Sequence, residues 1–343
     1  MSEILALPNP SILVVGCGSI GSRHIRNLQS LGLESTAVCD SDPEQLSPAV
    51  AEFGVAGYNS FEKALDLFSP EVVLVCTPPD LHVPQAMAAV VRGAHIFVEK
   101  PLSHSLEGVR DLVEESSGKQ RVVQVGYNFR FHPGLQKVKG LLEEGAIGRV
   151  LWARAEYGQY LPDWRPGQDY RQSYSGSRFM GGGIILDGSH EIDYMRWLLG
   201  EVVQVYCLAD TVSDLQVDTE DTASMVLRFA SGCLGEIHLD FVQRERTRNC
   251  KIVGTEGTIA WDHIEGSVSI YSIEDSDWQR LDIPCDANEM YLAEMEAFLH
   301  CLDGKQPPAA DIDSATRVLE IALAAHRSSD TQSAVSLHYR EES

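Results

Sequence analysis

A glycine-rich turn near the start of the chain constrains the fold more than any other sequence feature. The run 11–15 (SILVV) before it is rich in β-branched residues and predicts a strand buried on both faces. The turn itself, 16–21 (GCGSIG), follows at once, and 22–31 predicts a helix that ends at Gly32. A strand, a GxGxxG turn and a helix in this order are typical of the first unit of a dinucleotide-binding sheet.

Each glycine of this turn permits a contact that a side chain would block. Gly16 permits the tight turn, Gly18 lets the backbone approach a pyrophosphate, and Gly21 lets the helix pack on the strand. The start of the helix offers N–H groups and a positive dipole end to phosphate oxygens, so Ser19 and Ile20 are also predicted to bind them. A chance glycine-rich turn is the less favoured alternative, because a strand and a helix flank the motif.

The end of the second apolar run predicts which nicotinamide cofactor is bound. The run 35–39 ends in Asp40, about 20 residues after the last glycine of the turn. A carboxylate at this position accepts hydrogen bonds from the adenosine ribose and repels a 2′-phosphate. We therefore predict NAD. Arg23 lies close enough in sequence to keep NADP as an alternative, and we count it among the cofactor-binding residues.

Charge and cysteine usage limit the partners and the compartment. The formal net charge of −23 over 343 residues disfavours nucleic acid and anionic membranes. No apolar run reaches the length that spans a bilayer, and residues 1–10 lack the basic and apolar regions of a secretory signal. The eight cysteines show no CxxC spacing, which argues for free, buried thiols and against zinc. We expect a cytoplasmic protein without a metal site.

Two patterns of hydrophobicity divide the chain near residue 126. Before it, apolar runs alternate with helical stretches, as in a doubly wound parallel sheet of the Rossmann type. After it come predicted helices at 133–144 and 188–199, strands with in-out alternation between 222 and 272, and helices at 291–302 and 313–327. We predict an α/β fold with a nucleotide-binding domain at 1–126. The predicted substrate-binding α/β domain at 127–343 contains an open, mainly antiparallel sheet, whose less covered face predicts a homodimer or homotetramer.

A lysine follows another predicted buried strand. The run 95–98 (HIFV) leads into the turn Glu99-Lys100-Pro101. The carboxyl ends of parallel strands share the edge where a nucleotide binds, so Lys100 is expected beside the cofactor. Its ammonium charge suits the task of holding a developing alkoxide. The alternative is a surface lysine at a strand end, and Glu99 is expected to have a supporting role.

Six short motifs occur in a defined order along nearly the whole chain. They are 16–24 (GCGSIGSRH), 76–79 (CTPP) with His82, 99–101 (EKP), 126–133 (GYNFRFHP), 145–148 (GAIG) and 181–200 (GGGIILDGSHEIDYMRWLLG). With these motifs the chain resembles the Gfo/Idh/MocA oxidoreductases, the family of glucose–fructose oxidoreductase and inositol dehydrogenase. Each motif alone is weak, and their common order makes the resemblance specific.

The resemblance implies both the reaction and the cofactor contacts. It implies NAD(P)-linked hydride transfer at a secondary hydroxyl or keto group of a sugar, sugar acid, nucleotide sugar or inositol. It also implies a Rossmann domain followed by an α/β domain with an open sheet. The cofactor contacts that it adds to the glycine turn come from Thr77, Pro78, His82, Glu99 and Lys100.

His190 is the predicted general base, because an imidazole accepts a proton near neutral pH. Asp187 lies three positions earlier, so on one helix the two side chains would share a face; the carboxylate would orient the imidazole or bind a substrate hydroxyl. A purely structural pair is the alternative. In many members of the family, the aspartate lies four positions before the histidine. Counted back from His190, this aspartate position falls on Leu186. Counted forward from the triple glycine, it falls on Asp187. We favour Asp187. Asp193 and Arg196 are predicted to make structural ion pairs.

An aromatic, arginine-bearing loop at 160–174 precedes the triple glycine. Its rings can stack on the C–H faces of a sugar, and Arg165 or Arg171 can pair with a carboxylate or phosphate. The equally weighted alternative is a loop that packs over its own domain or a neighbouring subunit. Asn128 and Arg130 follow the last Rossmann strand and are also predicted to contact the substrate. The complete set of predicted substrate-binding residues is Lys100, Asn128, Arg130, Trp164, Arg165, Tyr174, Asp187 and His190.

Two other functions are compatible with these residues. Some relatives hold NAD tightly and cleave glycosides by transient oxidation, which consumes no net NAD. A non-catalytic sugar or NAD sensor on the same fold is the third reading, against which the presence of both Lys100 and His190 argues. Fold alone does not decide between these functions.

Overall fold

A computed structural model describes residues 9–165 and 167–338, and the chain divides into two compact units. One unit comprises the residues up to Asn128 together with Ala287–Thr316. The other comprises Phe129–Asp286 together with the residues from Arg317 onward. The predicted boundary at 126/127 lies within two residues of the first division, whereas the return of 287–316 to the first unit was not predicted.

The elements up to residue 128 alternate strictly between strands and helices. In chain order they are β1 (Ile12–Val15), α1 (Ser19–Ser30), β2 (Thr36–Cys39), α2 (Pro43–Phe53), β3 (Ala56–Tyr58), α3 (Phe61–Phe68), β4 (Val72–Val75), α4 (His82–Val91), β5 (His95–Val98), α5 (Val109–Gly118) and β6 (Val123–Val125).

The elements after residue 128 are mostly strands. They are α6 (Pro133–Glu143), β7 (Val150–Gly158), α7 (Ile184–Asp187), α8 (Ser189–Leu199), β8 (Val202–Asp210), β9 (Thr222–Phe229), β10 (Leu234–Asp240), β11 (Thr247–Gly254), β12 (Gly257–Asp262), β13 (Ser267–Ser272), β14 (Asp277–Asp282), α9 (Glu289–Cys301), α10 (Ile312–Thr331) and β15 (Val335–Ser336).

The first unit is built on a six-stranded sheet in the order β3-β2-β1-β4-β5-β6, with parallel pairing at each described step. Its central strands β1 and β4 are fully buried, as their continuous apolar runs require. The order reverses at β1, and such a reversal opens the crevice in which parallel sheets bind ligands. The predicted doubly wound Rossmann fold is confirmed.

Helix α9 completes the core of the first unit, although it follows the second unit in sequence. Its Met295, Phe298 and Leu299 are buried in one hydrophobic cluster with Ile12 and Phe97. The rings of Phe298 and Phe97 meet edge to face with centroids 5.5 Å apart. The placement of 289–301 in the C-terminal domain was based on sequence order alone, and the apolar face of α9 assigns it to the first unit.

The second unit contains a nine-stranded sheet in the order β14-β13-β12-β11-β7-β10-β9-β8-β15. It is mainly antiparallel as predicted, with a parallel pair between β7 and β10. Along β9 exposed and buried residues alternate, so one face of the sheet is covered and the other is open. Helices α6 and α8 contact the covered side, through β12 and β13 and through β7 and β10 respectively.

Two predicted helices differ from the structure at the points that matter for the site. Helix α1 begins at Ser19, three residues earlier than predicted, so that residues 19–21 of the glycine turn belong to its first turn. The helix predicted at 188–199 is preceded by the separate short helix α7, and Gly188 lies between the two. Asp187 therefore ends α7, while His190 belongs to the first turn of α8, so their shared position on one helix face was wrong.

His132, buried at the start of α6, pairs with the partly buried His263, which directly follows β12. His132 Nδ1 accepts the N–H of Gly134 (3.0 Å) as the helix cap, so the proton of neutral His132 is on Nε2. This Nε2 lies 3.0 Å from His263 Nδ1, which must accept. Burial, with the charge of Arg248, lowers the pKa of His132 to about 4 and that of His263 to about 3. Both rings are thus held neutral in the fold.

Replacing Gly21 by alanine is expected to reduce the free energy of unfolding by about 1–3 kcal/mol, the usual effect of overpacking. A Cβ at this position would overlap the carbonyl oxygen of Gly16 and lie 3.6 Å from Cys76 Cβ. Gly18→Ala is the matched control, because its Cβ would meet no described atom within 4 Å. Urea denaturation of both variants measures the difference, and equal losses would contradict the packing argument.

The histidine pair predicts a loss of stability in acid. Because the folded-state pKa of each ring lies below its unfolded value, the unfolded chain binds protons first as the pH falls. Stability is therefore complete above about pH 6.5 and declines as the pH approaches 4. Denaturation curves between pH 7.5 and pH 4.5 should show a shallower decline for His263→Asn than for the wild type. The exposed His338→Asn is the control, and an unchanged slope in His263→Asn would refute the assignment.

Candidate functional site

Asp40 organises the glycine turn in addition to its predicted contact with a ribose. Its Oδ2 accepts the N–H of Cys17 (2.7 Å), and its Oδ1 accepts that of Asp42 (2.9 Å). Each carboxylate oxygen has a second lone pair, so both retain capacity for a ligand hydroxyl. The side chain is half-buried at the end of β2. Asp40 therefore holds the turn in shape while it still offers acceptors for a ribose.

The start of α1 has the form of a phosphate cradle. The first helical N–H to bond back along the chain is that of Ser22, which donates to Gly18 O (2.9 Å). The N–H groups of Ser19, Ile20 and Gly21 precede it and have no intrahelical acceptor. An added Cβ at Gly18 would enter space free of other described atoms within 4 Å. An open backbone with free donors at a helix start fits the pyrophosphate of a dinucleotide.

Arg23, predicted to contact the cofactor, is held by α9. Its guanidinium carbon lies 4.6 Å from the centre of the Tyr291 ring. Burial, with the charge of Glu99, raises the pKa of Tyr291 to about 12, so the ring stays uncharged. Tyr291 also hydrogen-bonds Asn128, which places that predicted residue beside the same ring.

The turn that carries Lys100 is fixed from both sides. Glu99 Oε1 lies 2.7 Å from His24 Nε2 in the interior, and Glu99 Oε2 accepts the N–H of Lys100 (3.2 Å). The Lys100–Pro101 peptide bond is cis. Glu99 thus anchors the backbone at Lys100, in agreement with the expected supporting role.

His82 connects the two neighbouring strand ends. Its Nε2 lies 2.7 Å from Thr77 O after β4, and its Nδ1 lies 2.8 Å from Pro101 O after β5. Burial lowers the pKa of His82, and the two carbonyls oppose that shift. Thr77 Oγ1 donates to Gln85 Oε1 (2.7 Å), and Pro78 begins the following short turn. The motif residues 77, 78 and 82 therefore set the shape of the sheet edge that carries Lys100.

In the second unit, Asp187 is positioned by the segments that flank α7. Glu220 Oε1 accepts the N–H of Ile185 (3.1 Å) at the helix start, and burial raises the pKa of this carboxyl. Tyr174 donates its hydroxyl to Asp187 Oδ1 (2.6 Å). Leu186, the other candidate from the spacing, is a buried apolar residue. Of the two positions, only Asp187 presents a carboxylate.

His190 is buried in the first turn of α8 against an aromatic ring. The centroid of Phe129 lies 5.0 Å from that of the imidazole. Phe129 also contacts Arg248. The guanidinium carbon of Arg248 lies 4.4 Å from the centre of the Phe129 ring and 3.8 Å from the centre of the Tyr157 ring. Arg248 Nε pairs with Glu191 Oε1 at 2.8 Å, with 7% and 0% of the two side chains exposed.

Sequence reasoning missed this support of His190. Glu191 lies beside His190 in the chain, but Arg248 is on β11 and nothing local links the two. The signal that could have found the pair is the carboxylate of Glu191 beside Ile192 and Tyr194 on the helix predicted at 188–199, because a buried carboxylate requires a partner.

Arg130 lies inside the second unit. Its Nε donates to Asp193 Oδ2 (2.9 Å) and its Nη2 to Oδ1 (2.5 Å), and both side chains are buried. Asp193 thus makes the predicted structural ion pair, and Arg196 makes one with Glu201. The substrate contact predicted for Arg130 stays a prediction, and the geometry assigns its guanidinium to the core.

The described residues of the loop 160–174 pack largely on their own unit. Trp164 lies against Phe241 (5.2 Å between centroids) and donates its Nε1–H to Gln159 O (3.0 Å). Arg165 lies over the ring of Tyr174, with 5.8 Å from the guanidinium carbon to the centroid. The loop thereby brings Arg165 to the tyrosine that binds Asp187, whereas Trp164 packs on its own unit and its predicted contact with a substrate stays a prediction.

The cysteines and the helices of the described residues bear on two further sequence predictions. All eight cysteines are free, and seven of them are buried, as predicted. Among residues 9–165 and 167–338 no helix is long and apolar enough to cross a membrane.

Two family models match the chain. The model of the oxidoreductase family with an NAD-binding Rossmann fold matches residues 11–127, and the GFO/IDH/MocA C-terminal domain matches residues 135–260. These ranges follow the two kinds of sheet described above.

Relatives match over most of their lengths. Myo-inositol 2-dehydrogenase of Thermotoga maritima is 28% identical over 340 residues, covering 94% of this chain and 97% of the relative. Levoglucosan dehydrogenase of Pseudarthrobacter phenanthrenivorans is 30% identical over 300 residues, covering 75% and 74%. A solved structure of levoglucosan dehydrogenase in complex with NADH shares the fold, with a TM-score of 0.87 at 24% identity over 96% of this chain and 99% of that one. The chain therefore belongs to the Gfo/Idh/MocA family of oxidoreductases, as the sequence motifs indicated.

Proposed function

We propose that this protein is an NAD-dependent dehydrogenase that oxidises a secondary hydroxyl of a sugar, sugar acid, nucleotide sugar or inositol. The observation that carries the proposal is the first unit itself, in which a phosphate cradle follows β1 and an anchored lysine follows β5, the two parallel strands on either side of β4. Relatives named as inositol and levoglucosan dehydrogenases support the substrate class.

The cofactor would be held by the cradle at residues 18–21 and by Asp40. Phosphate oxygens would accept the N–H groups of the helix start, and the ribose hydroxyls would donate to the carboxylate. Asp40 disfavours a 2′-phosphate, which supports NAD over NADP. When bound, a nicotinamide supplies the hydride acceptor.

Lys100 and His190 would handle the charge and the proton of the substrate hydroxyl. His190 takes the proton as general base, and the Nζ of Lys100 stabilises the alkoxide as its negative charge develops. Asp187 binds a neighbouring substrate hydroxyl through the carboxylate that Tyr174 holds in place. Phe129, whose ring lies beside both the imidazole and the Arg248 guanidinium, would limit the ring orientations of His190.

A second copy of the chain is the proposed macromolecular partner. On the open face of the second sheet, Tyr206 pairs directly across from Val226, and Leu234 from Trp152. These four large apolar side chains are between 38% and 48% exposed. Arg228 and Glu236 lie on the same face, directly across from Leu234 and Val226. Large exposed apolar side chains grouped on one sheet face are typical of a protein interface. We propose a homodimer or homotetramer that covers it.

The free thiols support a reducing compartment, and we propose that the protein works in the cytoplasm.

The test of the function is nicotinamide absorbance with NAD and NADP against aldoses, inositols, sugar acids and nucleotide sugars. Net reduction with one ligand class identifies a dehydrogenase and its substrate class. Glycoside cleavage that needs NAD without consuming it would identify the cofactor-recycling enzyme, and binding of NAD without either reaction would identify the sensor.

Lys100→Ala and His190→Ala are each expected to lower kcat by about 100-fold or more, as for the loss of a charge-stabilising or proton-transferring group. The affinity for NAD, measured by calorimetry, should stay within about threefold, because the phosphate and ribose contacts are unchanged. Lys119→Ala, at an exposed lysine directly after α5, is the matched control for charge. A near-normal kcat in either variant would remove that residue from the mechanism.

Val226→Glu is expected to shift the protein to a smaller assembly by placing an unpaired charge in the proposed interface. Sedimentation velocity measures the mass of the assembly. Leu67→Glu, on the exposed side of α3 in the first unit, is the control and should leave the mass unchanged. If the wild type is monomeric at micromolar concentration, or if Val226→Glu keeps its mass, the interface is not on this face.

A further inference from the structure

A small cavity lies within the loop that precedes the triple glycine. It lies in the second unit and is partly open to solvent, and the space between its walls, the open part included, is about 260 Å³. The lining residues are Leu161, Pro162, Trp164, Arg165, Gln168, Asp169, Tyr170, Ser173 and Ser175. An aromatic ring, an arginine and several hydroxyl or amide groups thus surround one space.

Two polar groups of this cavity have no hydrogen-bonding or ionic side-chain partner in the described part of the chain. The Arg165 guanidinium has a ring neighbour, Tyr174, but forms no ion pair with any carboxylate in the described part of the chain. Ser175 is 1% exposed, and its Oγ has no hydrogen-bond partner among residues 9–165 and 167–338. A buried hydroxyl without a partner is unfavourable unless a ligand or water completes it.

The carboxylate that also lines the cavity does not neutralise Arg165. Asp169 is bound by Arg171, whose Nε and Nη2 donate to it at 2.8 and 2.6 Å. The hydrogen bonds from Arg171 lower the pKa of Asp169, which keeps that ion pair intact. Arg165 therefore gives the cavity a net positive charge.

The cavity wall is joined to the segment that carries Asp187. Ser175 O accepts the N–H of Gly183 (3.0 Å), directly before α7. The neighbouring Tyr174 contacts Arg165 through its ring and binds Asp187 through its hydroxyl. A ligand group in the cavity would thus lie next to the carboxylate proposed to bind a substrate hydroxyl.

We propose that this cavity binds an oxyanion of the substrate, with Arg165 and the Ser175 hydroxyl as donors, so that the enzyme acts on acidic sugars. A carboxylate or a phosphate oxygen accepts from both groups and satisfies them together. The proposal rests on the proposed dehydrogenase function and narrows its substrate class from sugars in general to those with an anionic group.

The test compares matched sugars in binding and in turnover. D-glucose, D-glucuronate and D-glucose 6-phosphate, and the same three forms of galactose, are titrated calorimetrically into the enzyme with NADH present. They are then assayed for NAD reduction. At least one anionic form should bind about tenfold or more tightly than its neutral partner, the usual contribution of a charge-assisted hydrogen bond. The preferred anion distinguishes a carboxylate from a phosphate.

Arg165→Gln should abolish most of this preference, with the loss in KM or Kd for the anionic form and not in kcat. Arg165→Lys should retain part of it, because the charge is kept and the planar donor geometry is lost. Ser175→Ala should reduce the preference severalfold. Arg110→Ala, an exposed arginine on α5, is the control and should leave both constants unchanged.

The two proposals fail in different ways. Anion binding that depends on Arg165 without any NAD reduction would keep the oxyanion site and overturn the dehydrogenase. Reduction of NAD with neutral and anionic forms alike, or an anion preference that Arg165→Gln leaves intact, would keep the dehydrogenase and overturn the oxyanion site. Absence of anion binding in the wild type would also overturn the site.

Discussion

The buried ion pair between Arg248 and Glu191 is the contact on which the candidate catalytic region of the second unit depends. It joins β11 to α8, and the guanidinium lies between the rings of Phe129 and Tyr157. Removing one member of such a pair leaves an uncompensated interior charge, at a cost of about 3–5 kcal/mol. The helix that carries His190 is therefore confined to the position in which both charges are matched, and the ring against His190 is confined with it.

The first unit uses the same principle at the edge of its parallel sheet. Polar side chains are bound there to backbone groups of neighbouring turns, as with Asp40 on Cys17, Glu99 on Lys100, and His82 between Thr77 and Pro101. Turns have few regular hydrogen bonds of their own, so these side chains supply the rigidity that a ligand site requires. The motif residues are thus needed for the shape of the edge as well as for contact with a cofactor.

Local patterns predicted the elements whose causes are local. Each of these elements follows from a continuous stretch of sequence. They are β1 with the glycine turn and α1, the strand β5 before Lys100, and the strands of the second sheet in which buried and exposed residues alternate. What could not be predicted depends on residues far apart in the chain. Examples are α9 in the core of the first unit, the parallel pairing of β7 with β10, and the pairing of Arg248 with Glu191. The hydrophobic periodicity of the sequence does not predict such contacts, since they arise only when the sheets form.

The spacing of Asp187 and His190 illustrates how tertiary contacts replace local periodicity at the site. On one continuous helix, reducing the sequence separation of the aspartate and the histidine from four to three residues would rotate the carboxylate by about 100° around the helix axis, relative to the imidazole. Here Gly188 separates α7 from α8, and each side chain has its own support: Tyr174 for Asp187, and Phe129 for His190. The orientation of the carboxylate is therefore set by Tyr174 of the loop 160–174 and by Glu220 at the start of α7, not by its distance in sequence from the imidazole. This independence explains how the chain can depart from the family's usual spacing and still present an acid beside the residues of that loop.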